Sequence, residues 1–284
     1  MKGFLQQSIE KYKRVTPTLT SIENIFNISS ELSSGVYDHI AFRTFKCLGG
    51  ITIVSNELEK YGYVERGCYE FPTKKLRAKW YLNQNDLLLP RIFVSQIEDN
   101  LLSELSQYII RSNVDSSHSN LIGFSGSINE DEEDGFEIKS KVPSVSFSEY
   151  HYLKQESQYA AWTLIHGTMI NHVAFSISNL KYPNMPVFDS LENINTYVKN
   201  LGISIVEVDG KKINVSRDGL LKQSSTVADS LRLPFRNHKY TDDPDFIEVN
   251  VGGGFVEFID RQKEGFDPEN PLNIFESTNI KNKQ

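Results

Sequence analysis

Two histidines in matched settings are the residues best suited to do chemistry in this chain. His39 lies in the stretch from Asp38 to Phe45 (DHIAFRTF), and His172 in the stretch from Asn171 to Ser178 (NHVAFSIS). In both, a short polar residue precedes the histidine, a β-branched aliphatic follows it, and Ala-Phe completes the run. One strand pattern is used twice. Its alternation places His39, Ala41 and Arg43 on one face, and His172, Ala174 and Ser176 on the corresponding face of the second copy. Two inward imidazoles beside small side chains suggest a metal pocket. A third ligand comes from Phe255 to Ile259 (FVEFI), where alternation puts Glu257 with Phe255 and Ile259. A carboxylate buried among apolar neighbours is costly unless a cation or strong hydrogen bonds compensate. Glu248 is the rival, but it shares its face with Phe246 and Asn250 and lies nearer a loop. Two histidines and one carboxylate on one face of an octahedral metal leave three open positions, the arrangement of non-haem Fe(II) oxygenases. Two of these would accept a 2-oxo acid through its carboxylate and keto oxygens, and the third O2.

Arg43 follows His39 by two alternations, with its Cα on the order of 13 Å away. A guanidinium there either forms a bidentate pair with the far end of a dicarboxylic substrate or sits in a structural ion pair. Arg77, in Leu76 to Tyr81 (LRAKWY), is a second candidate by the same logic, although Lys79 shares its face. The polar run from Gln223 to Thr226 would supply substrate hydrogen bonds through Gln223 and Ser225, or else is an edge strand. His166, before Gly167 at a helix end, suits a structural role or support of a ligand. His118, His151 and His238 have polar surroundings that point to exposure.

The elements that must position these groups read as a duplicated βαβββ unit, an α+β class of fold. The first has a strand from 37 to 45, a helix from 51 to 61, and strands over 63–71, 75–82 and 89–97. The second has a strand from 171 to 178, a helix from 190 to 201, and strands over 203–208, 212–216 and 255–260. The resulting division is an N-terminal helical cover (1–36), a first module (37–99), a helical insertion (100–167), a second module (168–262) and a tail (263–284). Within the insertion, the acidic run Glu130 to Asp134 (EDEED) reads as a solvated loop. It lacks the ligand spacing and central glycine of a calcium loop.

The 284 residues, 39% hydrophobic and 24% charged, suffice for a large core, and 17 Phe with 13 Tyr provide aromatic bulk for sheet packing. A formal net charge of −7 argues against a nucleic-acid partner. Only Cys47 and Cys68 are present, too few for a disulfide framework. No apolar run is long enough to span a bilayer, and the N-terminal residues lack a secretory pattern. These features lead to an expectation of a cytoplasmic protein without a membrane partner.

At these residues the chain resembles the 2-oxoadipate dioxygenase/decarboxylase family of the vicinal oxygen chelate superfamily. The resemblance is carried by the stretches 38–45, 76–81, 90–95 (PRIFVS), 161–173 (AWTLIHGTMINHV), 218–229 (DGLLKQSSTVAD), 253–259 (GGFVEFI), 265–267 and 273–278. It implies that the two modules form a half-open barrel. It also implies that His39, His172 and Glu257 hold Fe(II), and that Arg43 binds substrate and is needed for catalysis. The implied reaction converts 2-oxoadipate and O2 to 2-hydroxyglutarate and CO2. A metal-dependent isomerase or lyase on the same scaffold would differ by turning over without O2. A binding module without catalysis would keep its ligand affinity when His39 or Glu257 is replaced by alanine.

Overall fold

The computed structural model describes residues 2–29, 31–114, 145–180, 190–207, 210–237 and 246–266. The chain opens with α1 (Lys2–Val15) and α2 (Pro17–Ile25), then β1 (Tyr37–Phe45), α3 (Gly50–Glu59), β2 (Tyr63–Phe71), β3 (Leu76–Asn83) and β4 (Arg91–Ile97). Three helices follow: α4 (Glu104–Val114), α5 (Phe147–Glu156) and α6 (Gln158–His166). The second half comprises β5 (Met169–Ser176), α7 (Leu191–Asn200), β6 (Asn214–Val215), β7 (Leu221–Ser225), β8 (Ser230–Arg236), β9 (Phe246–Gly252) and β10 (Phe255–Arg261). His118, His238, the acidic run 130–134 and nearly all of the tail lie outside the described residues.

Eight strands form one curled sheet in the order β2-β3-β4-β1-β5-β10-β7-β6. Reading outward from the centre, each half repeats the other. β1 pairs in parallel with β4 and β5 in parallel with β10, each outer neighbour is antiparallel, and the halves meet where β1 runs antiparallel to β5. This is the duplicated βαβββ unit of an α+β half-open barrel. The central position of β1 and β5 brings the two histidine stretches side by side.

Alternation along the central strands separates two apolar layers. Ile40, Phe42, Val173, Phe175, Val256 and Phe258 pack with residues of α1, α2, α3 and α7. Ala41, Phe45, Trp80 and Phe93 face the other way, toward α4, α5 and α6. The helices have local reasons to form. In α7, Ser190 caps the start by accepting from Asn193 N–H, and Leu191, Ile194 and Val198 recur at three- and four-residue steps to make the buried stripe. In α5, Ser146 and Glu149 form a reciprocal capping box.

Two features depart from the sequence reading. Among the described residues 203–207, the expected strand reduces to one bridge, Ile205 to Thr226, because Ile203 and Ile205 pack against the first apolar layer while Asn214–Val215 takes the sheet edge. The β8/β9 pair is unanticipated. It forms a separate two-stranded sheet whose Phe235 and Val251 bury against the α5/α6 side. The turn from β9 into β10 passes so close to α1 that a Cβ on Gly253 would lie 2.1 Å from the Val15 carbonyl oxygen, and one on Gly254 2.2 Å from the Tyr12 ring. Glycine is required for that approach.

Candidate metal centre

His39, His172 and Glu257 converge on the concave side of the sheet. One ligand atom from each lies within 4.8 Å of the others, and all three residues are buried. The two Nε2 atoms are 3.2 Å apart, and Glu257 Oε2 is 3.5 Å from His39 Nε2 and 3.8 Å from His172 Nε2. The register explains the meeting: β10 lies parallel to β5 with Glu257 opposite Ala174, and β1 lies antiparallel with Ala41 opposite His172. Glu248, the rival carboxylate, is on β9, partly exposed and 3.3 Å from the Arg232 guanidinium.

The residue preceding each histidine would point to the opposite face of a regular strand. It does not here, because each is the extra residue of a β-bulge. Tyr37 and His39 face adjacent residues Phe175 and Ala174, leaving Asp38 over; His172 and Ile170 face adjacent residues Ala41 and Phe42, leaving Asn171 over. A bulge re-aims a side chain. His39 Nδ1 therefore donates to Asp38 Oδ1 at 2.8 Å, and His172 Nδ1 to Asn171 Oδ1 at 3.2 Å. Asp38 is held by Arg261, whose Nε and Nη2 donate to its two oxygens at 2.8 and 2.9 Å, with Arg91 at 3.5 Å. The Asn171 carbonyl accepts from Tyr12 Oη at 3.0 Å, and Tyr12 also lies 2.6 Å from the Phe255 carbonyl.

The electrostatics suit a cation. Burial pushes Glu257 up to about 8, and neither carboxylate oxygen has a hydrogen-bond partner among the described residues. Burial holds both imidazoles below the usual range, His39 against the pull of Asp38, and His172 with the charges of His39 and Arg43 adding to the effect. Asp38 is held well below the carboxylate range: burial opposes this, but the hydrogen bond from His39 and the Arg261 guanidinium outweigh it. Two neutral imidazoles and an orphaned carboxylate, with the imidazole Nδ1 protons engaged elsewhere, are a donor set that fits a divalent metal.

These residues line a small, largely filled cavity, which Arg43, Gln223, Asn171 and Phe266 also border. Arg43 is 1% exposed; its guanidinium stacks 4.7 Å from the Tyr159 ring and 5.1 Å from the Trp162 ring of α6, and burial pushes it down to about 10. Gln223 is buried, and its Nε2 has no hydrogen-bond partner among the described residues. Ser225 sits opposite Glu257 in register but does not line the cavity. Arg77 is corrected outright. Ala78 and Trp80 take the inward face of β3, so Arg77 points to solvent, half exposed and 3.6 Å from Glu70. His166 packs at a tilt against Trp162, 4.5 Å between ring centroids, and donates to the Gly252 carbonyl, a structural setting in which burial lowers it to about 4.

Several neighbours escaped the sequence reading. Tyr159 and Trp162 carried a signal in their three-residue helical spacing ahead of His166. Arg261 carried one too, since it follows Glu257 at the same four-residue step by which Arg43 follows His39. Phe266 packs edge-on to His39 at 4.9 Å and lies beneath the Arg261 guanidinium at 5.1 Å; it falls in the 265–267 stretch, but no periodicity there marks its place beside the site.

A family model described as 2-oxoadipate dioxygenase/decarboxylase matches residues 6–250. The chain belongs to this family. The match includes both histidines and stops short of Glu257. A rice relative (Oryza sativa subsp. japonica), the chloroplastic/amyloplastic 2-oxoadipate dioxygenase/decarboxylase, is 34% identical over 85% of this chain and 69% of its own length. The chloroplastic Arabidopsis thaliana enzyme of the same name is 32% identical over 85% of this chain and 68% of its own. Among solved structures, the Oryza sativa hydroxyglutarate synthase in complex with 2-oxoadipate superposes with a TM-score of 0.75 at 30% identity, covering 98% of this chain and 93% of that one. A Ralstonia eutropha protein described provisionally as a glyoxalase-superfamily member shares the fold, with a TM-score of 0.60 at 21% identity, covering 82% of this chain and 75% of that one. The glyoxalase-type neighbours bear out the vicinal-oxygen-chelate architecture. The cytoplasmic expectation is overturned by the plant relatives, which are named as plastid proteins. Among the described residues, no helix is long and apolar enough to cross a membrane.

Proposed function

We propose that this chain is an Fe(II)-dependent dioxygenase/decarboxylase that converts 2-oxoadipate and O2 to 2-hydroxyglutarate and CO2. The observation that carries the reading is the buried His39-His172-Glu257 cluster, in a member of a dioxygenase family, with the buried guanidinium of Arg43 bordering the same cavity. Oxygen chemistry favours a redox-active metal over Zn(II), and two imidazoles with one carboxylate suit Fe(II). When bound, iron supplies chelation of the 2-oxo acid and activation of O2.

The chain's own residues do the rest. Asp38 and Asn171 hold the imidazole rings with Nε2 turned inward, so the ligand geometry is set before substrate arrives. Arg43, stacked between Tyr159 and Trp162, presents a pre-oriented fork to the carboxylate remote from the metal, which selects a dicarboxylic acid. Gln223 offers an amide donor at the other end of the cavity. It pairs with Ile259, which pairs with Ser176 of β5, whereas Arg43 pairs with Met169 at the opposite end of that strand. Phe266 shields His39 and keeps water from the reacting end.

The test is anaerobic Fe(II) loading followed by an O2 pulse with 2-oxoadipate. One CO2 and one 2-hydroxyglutarate per O2 consumed are expected. Turnover without O2 would make the chain an isomerase or lyase, and metal-loaded protein that consumes neither acid nor O2 would sink the reading.

A further inference from the structure

Asn171 has a side chain with one end used and the other idle. It is 2% exposed, borders the cavity, and its Nδ2 has no hydrogen-bond partner among the described residues. The orientation of its amide follows from chemistry. With Nε2 of His172 turned to the ligand cluster, Nδ1 carries the proton and needs an acceptor, so Oδ1 must face the ring and the NH2 group must face away from it. A buried amide donor left unpaired beside a cavity is a site for a ligand oxygen.

The register says which oxygen. β1 runs from Asp38 past His39 to Arg43, and Asn171 bulges out between the partners of Ala41 and Phe42, which lies on the Arg43 side of His39. We propose that Asn171 is a substrate-contacting residue whose Oδ1 fixes His172 while its Nδ2 donates to the far carboxylate of the dicarboxylic acid, beside Arg43. The proposal rests on the substrate reading above. It also accounts for the residue type. In the first copy the equivalent position is an aspartate, neutralised by Arg261 and Arg91. A carboxylate at 171 would still accept from His172, but it would repel the acid and compete for Arg43. A carboxamide accepts at one atom and donates at the other.

Asn171→Asp separates the two duties, because it keeps the acceptor and exchanges the donor for a negative charge. Anaerobic equilibrium binding to the Co(II)-loaded protein would be measured for 2-oxoadipate and for 2-oxohexanoate, which has the same chain length without the far carboxylate, alongside Co(II) affinity. The dissociation constant for 2-oxoadipate is expected to rise about tenfold or more, the worth of a lost hydrogen bond to a charged group. Affinity for 2-oxohexanoate should move by less than about threefold, and Co(II) should bind as tightly as to the wild type or more tightly, since a carboxylate behind His172 raises its basicity. Asn171→Ala, which adds no charge, should weaken 2-oxoadipate in the same direction and also loosen Co(II). Should the Asp variant fail to fold, the Ala variant decides by the same pair of acids. Variants that bind 2-oxoadipate like the wild type, or that lose both acids equally, would overturn the assignment. Wild-type protein that binds neither acid would instead overturn the substrate reading.

Discussion

The two halves of the sheet supply one histidine each by the same device and then surround it differently. In the first half, His39 leans on a carboxylate, Asp38, that is clamped by Arg261 at 2.8 and 2.9 Å. In the second, His172 leans on a neutral amide, Asn171, whose backbone carbonyl is tied by Tyr12. The ligand atoms are equivalent; the charge behind them is not. The Asp38 side is a closed ion-pair network that also bonds the Gly265 carbonyl and lies over Phe266, so it fixes one wall of the cavity. The Asn171 side leaves a donor available next to Arg43. The repeat thus supplies a symmetric pair of candidate ligands, and the one neighbouring residue that differs between the copies ties one side into an ion-pair network and leaves a donor facing the cavity on the other.

Removing either ligand is the most direct way to break this comparison. His39→Ala and His172→Ala should each lower kcat/KM about a thousandfold or more, given the several kcal/mol a bound metal supplies, with metal content falling in parallel. Metal analysis beside steady-state kinetics checks this, and a dispensable histidine would end the claim of equivalence. A smaller effect is expected from Arg261→Met, which leaves Asp38 of the first half buried without the guanidinium that β10 supplies. Urea unfolding of the metal-free protein should show a loss of about 3–5 kcal/mol, the cost of breaking a buried pair. A loss under about 1 kcal/mol, the size of an exposed pair, would show that the network is not closed. Smallest is Asp38→Asn, which makes the first half resemble the second. Metal affinity in a chelator competition should fall about tenfold, as for other partners of ligating histidines; an unchanged affinity would mean that the charge behind His39 does not matter.

Much of the site was legible before any fold was known, and the reasons are local. Alternation alone chose Glu257 over Glu248, because a carboxylate between Phe255 and Ile259 must be buried, whereas Glu248 ends half exposed against Arg232. The same alternation grouped Arg77 with Lys79, and that shared face is the outward one of β3. Asp38 and Asn171 were given no role in the site, since simple alternation sends the residue before a histidine to the opposite face. The bulges that reverse this depend on how β1 pairs with β5, more than a hundred residues away in the chain. Arg261, Tyr12, Tyr159 and Phe266 were missed for a related reason: each meets the site through contacts distant in sequence.

By itself, the sequence determined the repeat, the strand faces away from the bulges and the three buried residues that could hold a metal, because these follow from periodicity and from the cost of burying a polar group without compensation. Only the tertiary structure decided which side chain stands behind each histidine, which arginine enters the cavity and which faces solvent, and which amides are left without partners. Those outcomes depend on register between strands and on the packing of α1 and α6 against the sheet, and a one-residue shift in register turns a side chain from one face to the other.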